Sequence, residues 1–208
     1  MPAAAARGDR EAGQALPVYL TVVAGLLFLA FAFFVVAQVA VARNGAQSAA
    51  DAAALAAARD ARDQLRTQLV NQLSTPTGWP ALIQGTGYVD PGACQAARSF
   101  ATRNHSDALA GDEGCHPIAG PRIGFGVKVR SQKGVSSDLL PVKDQHTEAK
   151  ATAVVQPRCA LLPPLPAADG HLHLTCSGGR TWNIDPRAPV IPASLPTADD
   201  LYAVRLTG

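Results

Sequence analysis

Residues 18–41 read VYLTVVAGLLFLAFAFFVVAQVAV, and from residue 43 the chain continues RNGAQSAADAAALAAARDARDQLRTQLVNQL as far as Leu73. These two stretches decide the fold. The first is apolar on every face for about 24 residues, roughly 36 Å as a helix, and a bilayer core needs about 20 such residues. From Ala12 to Ala42 there is no Asp, Glu, Lys or Arg, and the one strongly polar interruption is Gln38, a turn from the end. A buried helix of a soluble protein rarely lacks charge on every face over such a length, so a membrane span is expected. The second stretch is helical for a different reason. Eight of the ten residues at positions 49–58 are alanine, the best helix former. Arg59, Asp60, Arg62, Asp63 and Arg66 then alternate in sign at helical spacing, and Leu55, Leu65, Leu69 and Leu73 form a sparse apolar stripe. The run Thr75-Pro76-Thr77-Gly78-Trp79-Pro80 should stop the helix near Ser74. Pro17 falls in the first turn, where proline is tolerated, and Gly45 is a single weak point. One helix of roughly 57 residues and roughly 85 Å is expected from Pro17 to Leu73, half in lipid and half out.

The flanks set the orientation. Arg7 and Arg10 precede the span and Arg43 follows it; this slight bias favours a short cytoplasmic tail. Cys94, Cys115, Cys159 and Cys176 all lie on the long side. An even, well-spaced set suits disulfides in an oxidising compartment. Three pairings are possible, and neighbour pairing, Cys94 with Cys115 and Cys159 with Cys176, closes the shortest loops and is the one expected. The domain organisation read from these signals is a cytoplasmic tail over 1–14, a transmembrane helix over 15–42, an extracytoplasmic Ala-rich helix over 43–74 and a disulfide-braced β-rich domain over 75–208. A cleaved secretory signal is the rival reading, with Arg7 and Arg10 as its basic start and Ala40-Val41-Ala42 as a small-x-small cleavage site. The apolar stretch is about twice the usual 7–15 residues of such a signal, and the helical pattern continues past Ala42, so a retained anchor is expected.

So long a helix is not expected to pack against its own small domain over its whole length, and its small residues suggest what it packs against instead. Gly45, Ala49, Ala53, Ala57 and Ala61 recur every fourth residue, and Thr21 with Gly25 makes a small-xxx-small pair within the span. Small residues let another backbone approach closely, so these positions are expected to mediate helix-to-helix association with other subunits. The plainer alternative is that such spacing is almost unavoidable in an alanine-rich run.

Beyond residue 75 the chain turns irregular, with a short helix expected over Ala93–Arg103. Ile123, Phe125, Val127 and Val129 then alternate with Gly124, Gly126, Lys128 and Arg130, the period of a half-buried strand. Thr147–Gln156 repeats the pattern through Ala149, Ala151, Ala153 and Val155; a loop containing Pro141 lets the two pair antiparallel. His171–Cys176 and Thr181–Ile184 flank Ser177-Gly178-Gly179-Arg180, a hairpin signal, and Leu201–Leu206 reads as a last strand. The fold class expected is α+β, a long N-terminal transmembrane helix continuing into an Ala-rich helix and followed by a small, mainly antiparallel β-sheet domain.

Composition narrows function. Of 208 residues 48% are hydrophobic and only 16% charged, with a net charge of +2; there is no basic excess of the kind a nucleic-acid binder concentrates on one face. No GxSxG, HExxH, Gly-rich phosphate loop or CxxC pair occurs, so no enzyme and no cofactor is expected. His171 and His173 share a strand face and could ligate a metal with Cys115, His116 or Cys176. Oxidised cysteines are not ligands, so two solvated histidines are expected instead. Asp51, alone in the alanine run, either pairs with a partner helix or is a solvated charge. Asn104-His105-Ser106 is a glycosylation sequon of a kind that arises often by chance.

Gly13-Gln14-Ala15-Leu16-Pro17, the apolar span and the run QSAADAAALAAA at residues 47–58 together resemble the N-terminal region of TadE/TadG-like proteins of the tight-adherence, or Flp-type, pilus assembly systems. The resemblance is close over residues 8–60 and looser beyond. It implies a pilin-like, membrane-anchored pilus-assembly accessory protein, not an enzyme. The implied partners are other pilin-like subunits and the inner-membrane assembly platform proteins. Some members are processed like prepilins after a Gly in a G-x4-E-Y motif, which makes Gly13 the corresponding processing position here. Gly13 to Tyr19 reads GQALPVY, with Val18 where the Glu should stand, so an uncleaved anchor is expected. The alternative functional reading is a single-pass tethered binding or enzymatic domain unrelated to pili.

Overall fold

A computed structural model describes residues 15–86, 92–118, 120–137, 142–163, 170–188 and 195–207. The tail over 1–14, with Gly13, and the loop at Pro141 lie outside the described residues. The chain divides into two compact units, Met1–Val41 and Ala42–Gly208.

Helix α1 covers Ala15–Asn71 without interruption, and Pro17 sits in its first turn, where no intrahelical N–H is needed. In the second unit its alanine run is the centre of the core. Ala49, Ala50, Ala53, Ala54, Ala57, Ala58 and Ala61 are completely buried, and Leu65, Leu69 and Leu73 continue that buried face. They form one apolar cluster with Phe125, Val127, Val129, Ala153, Val155 and Tyr202 of the sheet. The alanines thus serve close packing of the helix on its own domain. This corrects the expectation for Ala49, Ala53, Ala57 and Ala61: their faces are covered by the chain itself and are not open to another subunit. The Ala-rich helix is likewise part of the same compact unit as the sheet rather than a separate segment before it.

After α1 a 3-10 turn at Pro76–Gly78 leads into α2, Trp79–Gln84. Trp79 is fully buried, and its indole N–H donates to the Gln72 carbonyl at 3.0 Å. The same carbonyl, one residue past the end of α1, also accepts from the Thr75 N–H at 3.0 Å. Helix α3 occupies Ala93–Arg103, with Ala93, Ala97 and Ala101 buried as a one-sided stripe.

The main sheet is antiparallel throughout. Its central strands are β3, Gly124–Ser131, and β6, Glu148–Pro157, in register from Gly124 opposite Val154 to Arg130 opposite Glu148. On one side of β3 lie two short strands, β1 at Ser106–Ala108 and β2 at Cys115–Pro117. Strands β4, Val135–Ser137, and β5, Val142–Gln145, make a small hairpin between β3 and β6. Strands β7, Cys159–Leu161, β8, Leu172–Cys176, and β9, Thr181–Ile184, form a second small sheet. Gly178 and Gly179 both have positive φ in the three-residue connection closed by the bond from the Cys176 N–H to the Arg180 carbonyl at 2.8 Å, a conformation that glycine takes at no steric cost. A four-residue helix, α4 at Ala198–Leu201, then delivers β10, Tyr202–Thr207, to the free side of β6. Period-two alternation places Phe125, Val127 and Val129 on the helix side and leaves Lys128 and Arg130 on the outer face. A Cβ at Gly126 would come within 2.9 Å of the exposed His116 ring, so the glycine lets that ring lie flat over β3.

Candidate membrane anchor and head surface

The first half of α1 has the composition and exposure of a lipid-facing helix. It contains an 18-residue window of mean hydropathy 2.7, none of it buried within the protein. Tyr19, Phe28 and Phe33 are each more than 70% exposed. Large side chains uncovered on all faces suit hydrocarbon and not water. Thr21 adds no free polar group, because its hydroxyl donates to the Val18 carbonyl at 2.9 Å, a bond that matters most where no water is present. Thr21 and Gly25 are both exposed, and neither Gly25 nor Gly45 has anything within 4 Å of where a Cβ would stand. Of the residues expected to pack helices, these three remain open.

The second unit, the head, is held by two disulfides, Cys94–Cys115 and Cys159–Cys176. The first ties α3 to β2, and the second joins directly paired residues of β7 and β8. With both thiols in disulfides, Cys115 and Cys176 have no thiolate to offer beside His116, His171 and His173. His171 Nδ1 instead lies 2.8 Å from Asn183 Oδ1. Asp51 is half-buried and accepts from the Gln47 amide at 2.9 Å within α1, while the same amide reaches the Lys150 carbonyl of β6 at 3.2 Å. The Asn104 side chain donates to the Phe100 carbonyl at 2.8 Å, closing the end of α3.

Charges on the head are organised around two carboxylates. Glu148 bridges Lys128 at 2.9 Å and Arg130 at 2.7 Å. The hydrogen bond from Lys128, then that from Arg130, holds its carboxyl below the usual range, and the same bond raises Lys128. All three are exposed enough that water screens most of the gain. Asp200 is more enclosed. The Thr197 hydroxyl and backbone N–H hold its pKa low, with Arg180 and Arg158 adding to the effect. Thr197 and Asp200 form a reciprocal capping box at the start of α4 and so fix where β10 begins. Arg62 of α1 pairs with Asp199 beside it, and Arg66 donates to the Pro196 carbonyl at 3.0 Å. The two contacts of α1 with this turn do not follow from local sequence, because they join residues 137 and 130 positions apart.

Residues 13–60 match the family described as "Putative Flp pilus-assembly TadE/G-like". Searches of curated proteins and of solved structures return no match. The matched segment takes in the apolar half of α1 and most of its buried alanine face.

Proposed function

We propose that this TadE/TadG-like chain is a membrane-anchored accessory protein of Flp/Tad pilus biogenesis, minor pseudopilin-like in build and not an enzyme. The observation that carries the reading is the coincidence of the family match over residues 13–60 with a single helix whose first half is bare and apolar and whose second half is the core of a disulfide-braced head. The span holds the protein in the cytoplasmic membrane with its amino terminus inside. The head, with its disulfides, stands in the oxidising space outside. Association with other spans uses the open pair Thr21 and Gly25, where a second helix can approach closely. Contacts with pilins and platform proteins use the span and the exposed surfaces of the head, since the alanine face is occupied.

A clean deletion tests the role. Loss of surface fibres in the deletion strain, restored by the full chain and not by a chain lacking residues 16–42, is the expected result. Wild-type fibre number in the deletion strain would contradict it, and would favour a tethered binding domain working elsewhere in the envelope.

A further inference from the structure

The two edges of the main sheet are treated differently. On one, β1 and β2 are three residues each, separated by a 3-10 turn at Gly111–Glu113, and β2 ends in Pro117. Such an edge resists pairing with another chain. On the other, β10 runs for six residues with no proline, in unbroken register with β6 from Tyr202 opposite Pro157 to Thr207 opposite Thr152. Among the described residues no strand pairs with its far side. Its outer-face residues are Ala203, Arg205 and Thr207. Beside them lies a cleft of about 400 Å³ lined by Gln156, Pro157, Arg158, Ser177, Ala203 and Arg205. Arg158 is fixed in this wall: its Nε donates to Ser177 Oγ and its Nη1 to the Asp199 carbonyl, both at 3.0 Å. Arg205 is exposed and has no ion-pair partner among the described residues. Two guanidinium groups therefore face one cleft whose lining contains no carboxylate.

We propose that β10 and this cleft together form a docking site for an extended acidic peptide segment of another protein. The segment adds to the sheet beside β10, so its main chain satisfies the N–H and C=O groups of the open edge. Its carboxylate-bearing side chains fall opposite Arg205 or Ala203 on the outer face and enter the cleft, where Arg158 and Arg205 receive them through charge-assisted hydrogen bonds. The ladder supplies affinity for any extended chain, and the two arginines select for acid. The site does not depend on the pilus role proposed above.

The test uses the full-length protein in nanodiscs of zwitterionic lipid and a fluorescein-labelled peptide, Thr-Thr-Val-Glu-Val-Glu-Val-Thr, read by anisotropy. Saturable binding is expected, with the same peptide carrying Lys for Glu binding weaker by at least about fivefold, the upper range for one exposed ion pair. Arg205→Ala should lessen that preference, and Arg205→Glu should lessen it further, with Arg158 still favouring acid. N-methylation of alternate amides should remove binding for one of the two sets of positions. No saturable binding of the acidic peptide, equal binding of the acidic and basic peptides, or indifference to both N-methylated sets overturns the proposal.

Discussion

Ala53 lies at 0% exposure in the interface between α1 and the sheet, within the same apolar cluster as Phe125 and Val155. Ala53→Leu adds three carbons to a space that is already filled, while alanine and leucine differ little in helix propensity. Overpacking of this kind costs about 1–3 kcal/mol. For a protein of this size each kcal/mol moves the midpoint by about 2–4 °C, so a fall of roughly 2–12 °C is expected. Gly45→Leu is the matched control. It stands two helical turns before Ala53 on the same helix, where a Cβ meets nothing within 4 Å. There the change leaves the midpoint unchanged or raises it slightly, since glycine inside a helix costs about 0.8–1 kcal/mol against alanine. Both variants are made in the full-length protein in detergent, and unfolding is followed by the fluorescence of the buried Trp79 and of Trp182. If Ala53→Leu melts with the parent protein, or the two variants move together, the alanine face does not pack on the sheet and the core described here is wrong.

Other expectations follow from the same contacts. Replacing Cys94 and Cys115 together by serine opens a bridge spanning a sequence separation of 21 residues; the chain-entropy relation gives a loss of about 3 kcal/mol, to be read by urea unfolding. Tyr202→Phe removes a buried hydroxyl that donates to the Leu82 carbonyl at 2.7 Å and should cost about 0.5–1.5 kcal/mol, the net worth of one hydrogen bond, because that carbonyl keeps the Gly85 N–H at 2.9 Å. Burial pushes the Tyr202 phenol above its ordinary value of 10.0. Its contribution is therefore whole below pH 10 and is lost as pH rises above it toward the folded pKa, and the Phe variant should lack that alkaline limb in a stability–pH series. For Asp200 the folded pKa is depressed below 3.8, Thr197 being the first cause. The stability it supplies is present above that pH and is lost as pH falls through the lower folded value. Thr197→Ala should weaken this acid limb and, through the lost cap, cost about 1 kcal/mol at neutral pH.

The long helix, α3 and the β3–β6 pair could all be read in the sequence because their periodicity is sustained. Phe125, Val127 and Val129 repeat every second residue, and residues 18–41 are apolar without exception of face. The β8–β9 hairpin was visible through Ser177-Gly178-Gly179-Arg180. Strands β1, β2 and β7 were not, since three residues carry no period. Neither was α2, which begins amid Gly78 and Pro80; its helical state follows from burying Trp79 and Ile83. The alanine face packs on the sheet, a partner that its sequence does not specify, for a physical reason. A stripe of small side chains permits close approach by a helix or by a sheet alike, and nothing local in Ala49–Ala61 distinguishes them. The cleft of Arg158 and Arg205 gives no sequence signal at all, because β10 returns beside β6 only after about 45 residues of intervening chain.

The division of α1 into a lipid-facing half and a core half is tested most directly by an apolar carbene-generating lipid probe, activated in membranes that carry the full chain and mapped by peptide mass spectrometry. Label spread over residues 16–42 and absent from Ala49–Ala61 is the outcome this structure requires. An unlabelled 16–42 segment, or label running through the alanine face, would contradict it.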